Sequence, residues 1–231
     1  METEKLFIIE DSRDEIDLTR TLNPEEHLKI QLVNSEREKP LKVIGEITLK
    51  PGSDLELLQL DLGRFDCEVD LKVNVEEGAN FTSRVGAMCE GVEHKSYTID
   101  VIHVGRNSES LTTMRGVCKD RSKMEFLGSS DIRRGAAKTH TRQEGKIVNF
   151  SGKASCVVSP SLLISEEDVF ASHGASMGSV PDQDMFYLMS RGLDRPMAER
   201  IITVGYLKPT CSLVEDERAK QIALSMLESE L

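Results

Sequence analysis

Histidine, carboxylate and thiol side chains are the groups here that could bind metal or move protons, and their spacing narrows the chemistry. The five cysteines, Cys67, Cys89, Cys118, Cys156 and Cys211, are scattered with no CxxC pair. That spacing argues against a zinc knuckle and against a disulfide framework. They read as reduced, mostly buried thiols. Cys156, followed by Val157 and Val158, reads as core filler, with a ligand role as its alternative. Glu144 could offer ferrous iron a hard oxygen, although Arg142-Gln143-Glu144-Gly145-Lys146 also reads as a solvated turn. His140 alternates with Thr139 and Thr141, which puts it on one polar stripe with Arg142 rather than in a metal cage. His27, His94 and His103 have no ligand neighbours in the sequence.

No GxxxxGK[ST] loop occurs, so the chain has no cradle for nucleotide phosphates. The acidic residues are dispersed and no aromatic platform for sugar rings is apparent, which speaks against a carbohydrate-active enzyme. With 40 Asp and Glu against 29 Lys and Arg, the long-range field repels phosphate backbones, so nucleic acid is not an expected partner. No stretch approaches the roughly 18 apolar residues of a membrane helix, and METEKLFIIEDSRDE lacks the basic and apolar regions of a secretory signal. A cytoplasmic protein without membrane contact is expected.

The elements that must position these groups are mostly strands. From about Leu41 to Ile164 short apolar alternations recur between turn signals such as Pro51-Gly52-Ser53 and Glu77-Gly78-Ala79. Glu68 to Val75 alternates strictly, with one face apolar and the other charged. Such units build a sandwich, a barrel or a β-solenoid, and periodicity does not choose among them. The residues up to about Pro40 add Leu6-Ile9 and Leu28-Val33, which read as edge strands.

Beyond Pro181 the pattern turns helical. A first helix is expected from about Asp182 to Arg191, closed by Gly192. A second starts near Asp194-Arg195-Pro196, has Ile201, Ile202 and Leu207 as its core face, and stops at Pro209. A terminal amphipathic helix follows, capped by Ser212-Leu213-Val214-Glu215 and carrying Ala219, Ile222, Ala223, Met226 and Leu227 on one stripe. Tyr187 and Arg191, four apart on the first helix, share a face and could meet a partner.

Two blocks, FLGSSDIRRGAAKTHTRQEGKIVNFS and SPSLLISEEDVFASHGASMGSVPDQDMFYLMSRGL, resemble the core domain of the SufB/SufD family. Phe126, Gly128, Gln143, Pro160, Leu162, Ile164, Asp168, Val169, Ser172 to Ser176, Gly178, Phe186 to Leu188 and Ser190 to Gly192 carry the resemblance, over roughly the second half of the chain. It implies a mainly β fold, a right-handed parallel β-helix followed by a small C-terminal α-helical domain, with boundaries at 1–178 and 179–231. It implies a non-enzymatic iron–sulfur cluster assembly subunit, with iron or a cluster held transiently rather than as a tight cofactor. The implied partners are a SufC-like ABC-type ATPase, docked on the helical tail through residues such as Tyr187 and Arg191, and a SufB/SufD-type paralogue or a second copy.

Within that resemblance His173 matches the family's interface histidine, and imidazole suits iron. The alternative is a histidine satisfied by hydrogen bonds at a turn, beside Gly174. SufB-type members have a cysteine after the position of Gln143 and a glutamate after that of His173. Here Glu144 and Gly174 stand in those places, so the chain sides with SufD-type members. The candidate metal or cluster residues are therefore His173, Glu144 and Cys156. A purely structural partner of the ATPase complex is the competing reading.

Overall fold

The computed structural model describes residues 3–229. Fourteen strands are followed by three helices: β1 (Glu4–Ile9), β2 (Glu15–Asp17), β3 (Arg20–Leu22), β4 (His27–Asn34), β5 (Leu41–Leu49), β6 (Asp54–Asp61), β7 (Cys67–Val75), β8 (Asn80–Cys89), β9 (His94–His103), β10 (Glu109–Cys118), β11 (Lys123–Ile132), β12 (Thr139–Asn149), β13 (Ser155–Ile164), β14 (Val169–Ser179), α1 (Asp182–Ser190), α2 (Arg195–Cys211) and α3 (Glu217–Ser229). From β4 onward successive strands fall alternately into two sheets. The first runs β1-β4-β6-β8-β10-β12-β14, and the second β13-β11-β9-β7-β5-β2, with β3 also on β5.

Every pairing is parallel, and the register step ranges from 24 residues, Glu4 opposite Leu28, to 32, Lys123 opposite Ser155. A step of one coil with parallel pairing is a β-solenoid, here of about six turns, so barrel and sandwich are excluded.

Strand alternation sets what lies between the sheets. In β7 Cys67, Val69, Leu71, Val73 and Val75 are buried while Glu68, Asp70 and Lys72 are exposed, because successive side chains face opposite sides. The inward rows stack into one apolar column from Ile8 to Phe126, Ile147 and Val158. Each such fully buried aliphatic or aromatic side chain contributes about 1.5–3 kcal/mol.

The first sheet breaks this rule at its strand ends. β6 and β8 close on five consecutive buried residues, since the helices cover the outer face there. Leu60, Met88 and Val117 pack with Leu207, Cys211, Ala219, Ala223 and Leu227 in a second apolar cluster. A Cβ at Gly86 would lie 2.9 Å from Thr210 Cγ2; only glycine lets α2 come so close.

The helices differ from the sequence reading in three respects. α2 runs through Pro209 to Cys211. In the last turn proline removes only one N–H, and Ser212 N still donates to Lys208 O at 2.9 Å. Its buried face is Ala198, Thr203, Leu207, Thr210 and Cys211, whereas Ile201 is exposed. The supporting surface is shared between α3 and the strand ends that carry Leu60, Met88 and Val117, so the stripe is rotated. Finally, Asp216 caps α3 by accepting from Ala219 N at 2.8 Å.

Ser212 and Glu215 serve elsewhere. Ser212 Oγ donates to Lys208 O, while the Glu215 carboxylate meets Lys5 and Lys29 at 2.8 and 2.7 Å. Its N–H donates to Gln31 Oε1 at 2.9 Å. The loop before α3 is thereby tied to β1 and β4. Those two strands also differ from each other: β1 is an edge strand as expected, but β4 is covered by it.

Candidate functional site at the open rim

The last coil leaves two strands with a free side, β14 and β13, at the ends of the two sheets. A terminal strand without a neighbour keeps a row of unpaired backbone donors and acceptors. Here it is also apolar: Leu163, Ile164, Phe170 and Met177 are 50–70% exposed. His140 on the penultimate coil meets the Phe170 ring edge-on at 4.9 Å between centroids.

His173 lies on β14, exposed, with Gln143 of β12 as its register partner. In-register parallel partners share a face and lie about 4.8 Å apart. Thr139, Thr141, Gln143, Gly145 and Ile147 of β12 are the buried, inward positions. His173 therefore crowns an interior column that reads Ile30, Leu57, Ser83, Thr112, Gln143, His173. The column changes from aliphatic to hydrogen-bonding as it approaches the rim.

The other two candidate ligands are not brought to that histidine. Glu144 is opposite Gly174 and faces outward, accepting from Arg142 Nη2 at 3.1 Å. It stands on the far side of the sheet. Cys156 faces inward on β13 but five positions before Ser161, the residue whose carbonyl Gln143 reaches. At about 3.3 Å per residue that offset is about 16 Å. Instead Cys156 shares a hydrogen bond with Cys118, which lowers the Cys156 thiol pKa and raises that of Cys118. Among the described residues no group of three or more His, Cys, Asp or Glu is arranged to hold a metal ion.

The remaining thiols behave as core. Burial raises Cys89 to about 11 and Cys211 to about 12, so neither offers a thiolate at neutral pH.

Tyr187 on α1 and Arg191, which caps its C-terminus, lie together, with the guanidinium 5.0 Å from the ring centre. Tyr187 borders an apolar groove of about 750 Å³ between α1, α2 and the end of β14, with Met177, Leu188, Ile201 and Tyr206 in its wall. Phe186 stands 74% exposed beside it.

Two residues beneath this rim had no distinct signal in the sequence. Gln143 figured only as one position of a motif, and His103 as an isolated histidine. In the structure His103 is fully buried, its ring nitrogens bonded to Ser108 Oγ at 2.8 Å and Ser110 Oγ at 2.9 Å. Burial pulls it down to about 4, so it is neutral.

Comparison with known proteins agrees with this architecture. The SufBD core domain of the SUF system for FeS cluster assembly matches residues 27–206. Iron–sulfur cluster assembly protein SufD of Bacillus subtilis is 37% identical over 138 residues, 60% of this chain and 32% of that protein. SufD of Escherichia coli is 28% identical over 111 residues, 48% of this chain and 26% of that protein. SufB of Bacillus subtilis is 24% identical over 133 residues, 58% of this chain and 29% of that protein. The matched segments thus span about a third or less of these relatives. On the match over 27–206, and with SufD the more similar of the two Bacillus subtilis proteins, the chain belongs to the SufBD core family of the SUF system and is SufD-like.

Proposed function

We propose that this chain is a non-catalytic subunit of iron–sulfur cluster assembly that holds or relays iron, or a nascent cluster, at a junction between its rim and a second SufB/SufD-type subunit. The observation that carries the reading is the place of His173, on an unpaired terminal strand and directly above the polar end of the interior column. A second solenoid added at that strand would satisfy the backbone groups and cover Phe170, Leu163 and Met177. It would also bring its own ligands to the imidazole, which this chain's Glu144 and Cys156 do not supply. Iron is cargo in this reading.

The segment 179–231 is the docking unit for an ABC-type ATPase in this proposal, with Tyr187, Arg191 and the adjoining groove as contact. Nucleotide hydrolysis would then open the junction by moving the helices. Anaerobic co-purification with the neighbouring ATPase, followed by iron and sulfide analysis, tests the proposal. Parent protein should carry both elements and His173→Ala should lose most of them while the complex stays intact.

The competing reading is a purely structural partner. It is favoured by the outward orientation of Glu144, which leaves His173 as the one of the three candidate residues at the rim. Unchanged iron and sulfide content in the His173→Ala complex would establish it.

A further inference from the structure

The polarity of a buried hydrogen-bond chain decides which end of the Gln143 amide reaches the rim. Gln143 is 6% exposed. Its nitrogen lies 2.6 Å from Ser130 Oγ and 3.4 Å from Ser161 O. A backbone carbonyl only accepts, so the atom facing it is the amide nitrogen. From there each hydroxyl has one proton to give. Ser130 Oγ, having accepted from Gln143, donates to Thr141 Oγ1 at 2.9 Å, and Thr141 donates to Ser110 Oγ at 2.7 Å. Ser110 then donates to His103 Nε2 at 2.9 Å.

A neutral imidazole that accepts at Nε2 carries its proton on Nδ1. It donates to Ser108 Oγ at 2.8 Å, and Ser108 gives its own proton to Gly105 O at 3.0 Å. The chain thus ends, as it begins, on a backbone carbonyl that only accepts. The reverse direction would set the Gln143 oxygen against the Ser161 carbonyl and take the Ser108 proton away from Gly105 O. Both ends point to the same tautomer.

The Gln143 carbonyl oxygen is left over. It takes no hydrogen bond from any described residue, and with the nitrogen fixed on Ser130 it lies on the other side of the amide. The next rung on that inward face is His173.

We infer that Gln143 presents its carbonyl oxygen at the rim as a second ligand beside the His173 imidazole, and that His103 is the positioning residue that holds the amide this way round. The pair offers one hard oxygen and one borderline nitrogen, a combination suited to ferrous iron. This inference rests on the reading of His173 as the iron ligand of the rim.

Two measurements on the full chain test it. Long-range proton–nitrogen correlation spectra of histidine-labelled protein at neutral pH should show His103 with its proton on Nδ1. A proton on Nε2 would reverse every bond of the chain, turn the amide over and overturn the inference whatever His173 binds. The second measurement is a cobalt(II) titration, with cobalt(II) as an air-stable stand-in for ferrous iron, read by broadening of the His173 ring signals. Loss of an outer partner that orients a ligand costs about 10- to 100-fold in metal affinity. His103→Phe and the milder Ser130→Ala should each weaken binding by that factor. His103→Gln, whose oxygen accepts from Ser110, should restore it. Equal affinity in the parent and Ser130→Ala would overturn the role of Gln143 and leave His173 standing. No broadening in the parent would remove His173 itself, while the tautomer measurement would still report the orientation of the amide.

Discussion

Two buried polar clusters lie inside one solenoid, and one closes on itself while the other opens at the rim. In the closed cluster the Asp61 carboxylate, fully buried, accepts from Asn34 Nδ2 and Gln59 Nε2 at 2.7 Å and from the Tyr97 hydroxyl at 2.8 Å. Lys95, equally buried, donates to the carbonyls of Gly63 and Met88 at 2.7 Å each, with its ammonium 4.3 Å from the centre of the Phe65 ring. Burial raises the pKa of the Tyr97 phenol, which keeps it a donor. The spare acceptor of this closed cluster, Asn34 Oδ1, is sealed in the interior, whereas the chain that starts at His103 finishes on a side chain next to the rim. A closed cluster fixes which coil stacks on which. An open-ended one offers a group to a ligand.

If that contrast is right, damage to the closed cluster costs stability and damage at the rim does not. Asp61→Ala leaves three buried donors, Asn34 Nδ2, Gln59 Nε2 and the Tyr97 hydroxyl, without their shared acceptor and should cost about 3 kcal/mol or more, read by urea denaturation. A loss below about 1 kcal/mol, within the range of an ordinary hydrogen bond, would show that water already reaches the cluster.

The pH dependence of stability comes next in size. His103 is lowered from 6.5 to about 4, so below pH 6.5 the unfolded chain binds a proton that the folded one refuses. Stability is full above about 6.5 and falls as pH drops toward 4, by about 3 kcal/mol. The urea midpoint of the parent should follow that slope between pH 7 and 4, and His103→Gln should lack it.

Tyr97→Phe removes one donor to a carboxylate that keeps two others, and should cost about 1.5–3 kcal/mol. His173→Ala is the smallest change, within about 0.5 kcal/mol by the same assay, because the residue is exposed on a terminal strand. A larger loss would mean that His173 belongs to the fold and not to the rim.

The strand-rich body was legible because its lower coils obey simple alternation, as Glu68 to Val75 does. The upper coils were not, since Ser110, Thr139, Thr141 and Gln143 are hydrophilic yet face inward. Hydropathy reads such residues as solvated, and only neighbours 11 to 31 residues away make them interior. The same limit explains the helices. The stripe Ala219, Ala223, Leu227 was plain from its period, but the buried face of α2 depends on Leu60 and Met88, which no local pattern reveals. His173 was marked by resemblance alone, and its relation to Gln143 required the register.

The salt bridges from Glu215 to Lys5 and Lys29 give the molecule a mechanical layout that differs from its chain order. The helices follow the last coil in sequence, yet their loop is riveted to the first strands. A pull on the helical tail would therefore be felt at two places at once, through the chain at β14 and through those bonds at β1 and β4. Force applied there loads the whole stack like a strap around a pile of plates, instead of peeling it from the top.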